Sequence, residues 1–279
     1  MKKKEQVAVF FILGLTLVII VGLSYYSIRY GAKKTGTAAA VKETQSSRSE
    51  IVKNYAEACI KEIAEKSLFD SVGLQGGYLD QSDIPNPPIA LFDGKNVPYY
   101  IRASCSPNCI YDAQFPQLSE ISAKLSAKMQ DEFKNCFDKN AFGSIGLSVL
   151  ETGIPKAEIG INEEDITIRL DDEFVVKENG KETRLDSFSI TLPIRLKALH
   201  ESAVDFVNKI KNSNSNKYII TSQDCTSFDK NGLTNVYVRN LPNGKIIRFF
   251  DYSTYYQKYL NAYVFQFATD VDVSGQCTG

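Results

Sequence analysis

The chain has no tryptophan, one histidine (His200) and two methionines among its 279 residues. A single imidazole leaves little material for histidine-based acid–base catalysis or for a His-rich metal site. A surplus of positive charge is also missing. Lys and Arg number 32 against 33 Asp and Glu, a formal charge of −1, which argues against a nucleic-acid binder, since such domains carry a basic excess. G-x-S-x-G, H-E-x-x-H, a glycine-rich phosphate loop and an EF-hand loop are all absent, so no local catalytic or cofactor signature can be assigned. No N-x-[ST] sequon occurs, because Asn212 and Asn214 each open Asn-Ser-Asn, and N-glycosylation is not expected. Apolar material, by contrast, is plentiful. At 43% hydrophobic and 11% aromatic, the chain can bury enough surface to fold, which excludes wholesale disorder.

Residues 7–28, VAVFFILGLTLVIIVGLSYYSI, form a run of 22 without a charge. As a helix this run is roughly 33 Å long, enough to cross a hydrocarbon core of about 30 Å. Tyr25 and Tyr26 sit at one end, where aromatic rings favour the interface. A cleaved secretory signal is the rival reading, but its apolar stretch is shorter and its small-residue site lies close behind. Here the only such site, Ala38-Ala39-Ala40, falls beyond Lys33 and Lys34. An uncleaved anchor is therefore expected, with the lipid bilayer as a partner.

Basic residues do not fix its orientation, since Lys2, Lys3 and Lys4 precede the run and Arg29, Lys33 and Lys34 follow it. The cysteines decide. Cys59, Cys105, Cys109, Cys136, Cys225 and Cys277 all follow the anchor, and an even count suits an oxidising compartment. The expected arrangement is a cytoplasmic head (1–6), a transmembrane helix (7–28), a flexible stalk (29–48) and an extracytoplasmic domain (49–279). The protein then sits in the cell membrane as a single-pass chain with its C-terminal domain outside. The stalk is rich in Ala, Thr, Ser and Lys, with no Ile or Leu after residue 30, and has nothing to bury.

Within 49–279 the fold class read from periodicity is α+β. A helical part (about 49–142) precedes a sheet-rich part (about 143–279), in which antiparallel hairpins pack with two or three amphipathic helices. Ile51, Val52, Tyr55, Cys59, Ile63 and Leu68 recur at helical spacing up to Gly73. The next stretch, with Pro85, Pro87, Pro88 and Pro98, reads as a proline-rich loop. Leu118, Ile121, Leu125, Met129, Phe133 and Cys136 mark a second helix, and Leu196, Leu199, Ala203, Phe206 and Ile210 a third that ends at NSNSN. Alternation at Ile166, Ile168 and Leu170 begins a meander that turns at Asn179-Gly180. A second hairpin turns at Pro242-Asn243-Gly244, and a last strand covers 262–268.

Cys59 and Cys136 lie on the apolar stripes of two helices that can bring them within disulfide reach, or can bury them as free thiols. Cys105 and Cys109 can close a small loop or supply half of a zinc site. Cys225 and Cys277 then pair by elimination. Glu163-Glu164-Asp165 and Asp171-Asp172-Glu173 read as solvated strand-end charges, with calcium as the alternative. His200 borders the third helix's inward stripe and reads as structural. Tyr252, Tyr255, Tyr259 and Tyr263 recur at helical spacing and make the only nominated partner-binding surface. No catalytic residue, cofactor or metal is assigned.

The segment from Lys2 to Gly14, with Lys2-Lys3-Lys4-Glu5-Gln6 leading into the apolar run, resembles the start of archaeal surface proteins with type IV pilin-like N-termini. Glu5 stands where the pilin cleavage signal has glycine, and Phe10 where many pilins have glutamate. Glu57-Ala58-Cys59-Ile60, Gly73-Leu74-Gln75-Gly76-Gly77-Tyr78, Asn135-Cys136-Phe137 and Val264-Phe265-Gln266-Phe267-Ala268 are similar to a family of single-pass archaeal envelope proteins. That resemblance implies an anchored extracytoplasmic protein and supplies no catalytic residues. Anchor, stalk, cysteines and missing motifs together point to a structural, adhesion or surface-assembly role beside other envelope proteins. The alternatives are an extracytoplasmic ligand-binding or sensory module and an anchored carboxylate-based hydrolase.

Overall fold

Helix α1 (Arg48–Ser67) buries Val52, Ala56, Cys59, Ile60, Ile63 and Ala64 on one stripe, the face its three- and four-residue spacing requires. The computed structural model that places it describes residues 48–84, 89–106, 108–228, 234–256 and 261–277. The apolar run 7–28, the stalk up to residue 47 and Tyr259 lie outside the described residues. Among the described residues no helix is long and apolar enough to cross a membrane. α1 continues directly into a π-helical turn, Leu68–Val72. Helix α2 (Leu118–Cys136) turns Ile121, Leu125, Met129 and Phe133 inward and opens with a Gln117/Glu120 capping box. There the Gln117 N–H donates to Glu120 Oε2 at 2.8 Å, which satisfies an otherwise orphaned helix-start group. Cys59 and Cys136 join the two helices as a disulfide, Cα–Cα 5.8 Å.

These helices cover one sheet of four strands: β4 (Ser148–Glu151), β5 (Lys156–Ile161), β6 (Ile166–Glu178) and β7 (Lys181–Leu192). β6 is central, with β7 along one edge and β5 then β4 along the other, all antiparallel. The β6–β7 hairpin turns at Asn179-Gly180 with φ of 49° and 80°, the left-handed pair of a type I′ turn. α1 packs on β6 and β7, and α2 packs on β5. Phe133, Phe137 and Phe188 surround Phe174 in this half of the core.

A six-stranded sheet draws on both ends of the domain. β1 (Ile89–Phe92), β2 (Lys95–Cys105) and β3 (Cys109–Ala113) join β9 (Thr234–Leu241), β10 (Gly244–Tyr256) and β11 (Asn261–Thr269). The order is β1-β2-β11-β10-β9, with β3 also on β2. Helix α3 (Leu196–Ser213) packs on β10 and β11, with Phe206 edge-on to Phe249 and Phe267. A short helix α4 (Ser222–Phe228) and a two-stranded sheet of β8 (Lys217–Ile219) and β12 (Asp272–Ser274) complete the described domain. The Cys225–Cys277 disulfide ties α4 to the C-terminal segment, Cα–Cα 5.3 Å.

The mixed α+β class is as expected. So are α2, α3 and both hairpins within a few residues, and α3 ends at Asn214 in the left-handed region. Two expectations are corrected. The stretch read as a proline-rich loop carries β1, β2 and β3. Pro98 sits in β2 opposite Ile89 of a four-residue strand at the sheet's end, a position where a strand tolerates proline. The sheets are not wholly antiparallel either, since β11 pairs with β2 and β12 with β8 in parallel. A parallel pair needs a long crossover, and the β2–β11 crossover here includes most of the domain, so no local pattern announces it.

Candidate functional site

Alternation along β10 sends Ile247, Phe249 and Asp251 into the core and Arg248, Phe250 and Tyr252 to the opposite face. In β11 the register places Gln266 directly across from Arg248 and Val264 across from Phe250. Directly opposed residues hold their Cβ atoms about 5 Å apart. The face therefore presents a guanidinium beside a carboxamide, flanked by aromatic rings. A cavity of about 420 Å3 opens over it, lined also by Phe69, Asp70, Asp93 and Lys95.

The fourth wall is the π-helical turn after α1, which puts Phe69 and Asp70 at the cavity. Turns of this kind frequently mark functional sites, because the extra residue shifts the side chains that follow. Gly73 lets the turn lie on β11. A Cβ there would stand 2.3 Å from the Val264 carbonyl oxygen and 3.2 Å from the Tyr263 ring. The Gln266 N–H donates to Gly73 O at 2.9 Å, and Gln266 Nε2 donates to Leu74 O at 2.9 Å. Asp93 and Lys95 come from the β1–β2 hairpin, whose Asp93-Gly94 turn has φ of 49° and 73°.

Two atoms in this site lack partners among the described residues. Gln266 is 1% exposed and its Oε1 accepts no hydrogen bond, while Arg248 Nε is buried and donates none. The Arg248 guanidinium lies 4.8 Å from the Phe250 ring centre and 5.5 Å from that of Phe92, a cation–π arrangement. Burial pulls Arg248 below its ordinary value, partly offset by the Asp93 carboxylate. Tyr252, 51% exposed, stacks on Phe250 with centroids 6.0 Å apart. Buried unpartnered groups are uncommon in folded proteins and call for an explanation.

On the other face, Asp251 fixes β10 to the start of α3. Arg195 Nη2 donates to its Oδ1 at 2.7 Å, and Arg195 Nε lies 3.2 Å from both oxygens. The Ser253 N–H and hydroxyl donate to the same carboxylate at 2.9 and 2.6 Å. The β10 register breaks between Asp251 and Tyr255, so this cluster sets the bulge next to Tyr252.

The remaining sequence candidates are dispersed. Tyr252 and Tyr255 lie on β10 and Tyr263 on β11, so the helical stripe expected of them is corrected. A three- and four-residue spacing also fits a bulged hairpin, and here tertiary pairing decides. Tyr263 is fully buried, not on a surface, and Tyr252 lines the cavity. Cys105 and Cys109 are bonded to each other across the β2–β3 register, Cα–Cα 3.9 Å, which removes the zinc alternative for that pair. His200 is 5% exposed with Nε2 2.7 Å from Pro116 O. Burial lowers its pKa against the opposing pull of that carbonyl. Asp172, 3% exposed, lies at the β6 register shift against Gly153. Burial first, and Glu151 second, raise it to about 6. Among the described residues no group of three His, Cys, Asp or Glu is placed to hold a metal. Comparison with family models, with curated proteins and with solved structures returns no match.

Proposed function

We propose that residues 48–277 act as a small-ligand-binding module held outside the membrane by the apolar segment 7–28. The observation that carries the reading is the buried Gln266 with an unpartnered Oε1 beside Arg248 with an unpartnered Nε, on a cavity walled by Phe69 and Phe250. Ligand sites are mostly apolar concavities of about 300–1,000 Å3 with a few polar groups, and this cavity fits that description. The three disulfides favour an oxidising compartment and so an external position. A binding module also suits an envelope protein that meets solutes or other surface components.

The test is a thermal-shift screen of the full chain in mild detergent against amino acids, amines, short carboxylates and acidic sugars. A ligand that binds only the native state raises the midpoint. The reading expects at least one class to do so, with the shift lost in Arg248→Met. A uniformly flat screen, or shifts unchanged in Arg248→Met, would return the domain to the structural or adhesion reading.

A further inference from the structure

Resting on that reading, we infer that the cavity takes a small zwitterion, an apolar α-amino acid. It would place its carboxylate on Arg248, its ammonium among Gln266 Oε1, Asp70 and Asp93, and its side chain between Phe69 and Phe250.

The cavity's charges lead to this class. Arg248 and Lys95 line it together with Asp70 and Asp93, so the lining is balanced in charge. A dianion such as a phosphate ester would meet two carboxylates, and a simple amine would meet two cations. A molecule carrying both signs satisfies each side. The two orphaned atoms agree. Arg248 Nε is a donor and needs an acceptor, whereas Gln266 Oε1 is an acceptor and needs an N–H or O–H. A guanidinium meets a carboxylate with charge-assisted, planar hydrogen bonds. A primary ammonium has three N–H groups to share between Oε1 and the carboxylates. A quaternary ammonium has none, so it would leave Gln266 unsatisfied however well it sat among the rings. The ligand body meets Phe69, Leu74, Phe250 and Val264, which favours an aliphatic or aromatic side chain over a polyhydroxylated ring. Both orphaned atoms are screened from solvent. Both belong to residues that line the cavity, so the ligand reaches them by displacing lining side chains.

The class is tested by isothermal titration of the full chain in mild detergent with L-phenylalanine and L-leucine. Further titrations use phenethylamine (no carboxylate), 3-phenylpropionate (no ammonium), glycine betaine (no N–H) and glucuronate. The two amino acids are expected to bind, with each truncated analogue and betaine at least tenfold weaker, since a missing charged hydrogen-bond partner costs about that much or more. Arg248→Met should abolish the preference for the carboxylate, and Asp70→Asn should weaken the amino acids while sparing 3-phenylpropionate. Asp70→Asn keeps size and hydrogen-bonding capacity, so it reads the ammonium contact even if Arg248→Met folds poorly. Binding of glucuronate or betaine in preference to the amino acids would overturn this ligand class while leaving the cavity as a site. No heat with any probe would overturn both.

Discussion

Removing Arg195 tests how the site-bearing strand is held. Its guanidinium and the Asp251 carboxylate are 4% and 0% exposed as side chains, so neither charge has water to fall back on. Breaking such a pair by deleting one partner typically costs about 3–5 kcal/mol, because the survivor is a buried, uncompensated charge. Arg195→Met leaves Asp251 with the Ser253 N–H and hydroxyl, which offset part of the loss, so about 3 kcal/mol is expected. Asp251→Leu takes the carboxylate away from a buried guanidinium and from two Ser253 donors and should cost about 4 kcal/mol. The double variant removes both charges, and replacement of a buried pair by apolar groups is often nearly neutral. It should therefore be less destabilised than either single variant, which requires a favourable coupling of more than about 4 kcal/mol in the cycle. Urea unfolding of the full chain, followed by far-UV circular dichroism at low and high salt, measures all four proteins. The coupling should barely change with salt, since screening acts on exposed charges. Single variants that cost under about 1 kcal/mol, or a double variant equal to the sum of the singles, would refute the reasoning.

Asp172 gives a pH signature. Its folded value of about 6 lies above its ordinary 3.8, so the native state holds that proton more tightly. The resulting stability is present below pH 4 and is lost as pH rises through 6. Asp172→Asn should flatten the urea midpoint across that window and stabilise the protein by about 1 kcal/mol at pH 7.5. Replacing Cys59 and Cys136 together opens a loop of 77 residues and should cost about 4 kcal/mol. Replacing Cys105 and Cys109, four apart, should cost less than half of that by the same unfolding assay. Gly73→Ala pushes a methyl into the Val264 carbonyl. It should lower stability by about 1–3 kcal/mol and weaken any ligand-induced thermal shift, because the π-helical wall must move off β11.

Much of the scaffold was written in local pattern. The apolar stripes of α2 and α3 and the Asn179-Gly180 turn follow from residue types at short spacing, and the structure has each. The stripes place Cys59 and Cys136 on two helix faces but leave bridge and free thiols open, and the structure has the bridge. The β1–β2 hairpin carried a signal too. Asp93-Gly94 is a strong type I′ turn pair, set among Pro85, Pro87, Pro88 and Pro98, which favour a loop. The site was legible only in fragments. Tyr252 stands out in the sequence by helical spacing with Tyr255 and Tyr263, but these three lie on strands. Arg248 and Gln266 are 18 residues apart, and only the β10–β11 register makes them neighbours. Asp70 arrives from a π-helical turn nearly 200 residues earlier in the chain, and no single-sequence pattern encodes such a turn. In the sequence Arg195 is a lone charge before α3 with no local mark of burial. Its burial follows from β10 folding beneath it, a contact between positions 56 apart.

Because the chain has no tryptophan, Tyr252→Trp installs a single emitter at the cavity mouth, and Tyr78→Trp installs one at a different cavity of about 490 Å3 as a control. Titrating both with the amino acids, amines, carboxylates and acidic sugars of the screen tests directly whether the Arg248–Gln266 cavity is a binding site. The account predicts a saturable change in emission at position 252 with at least one compound. That change should be abolished when Arg248→Met is added, with position 78 unmoved. No change at 252 with any compound, or one that survives Arg248→Met, would contradict it.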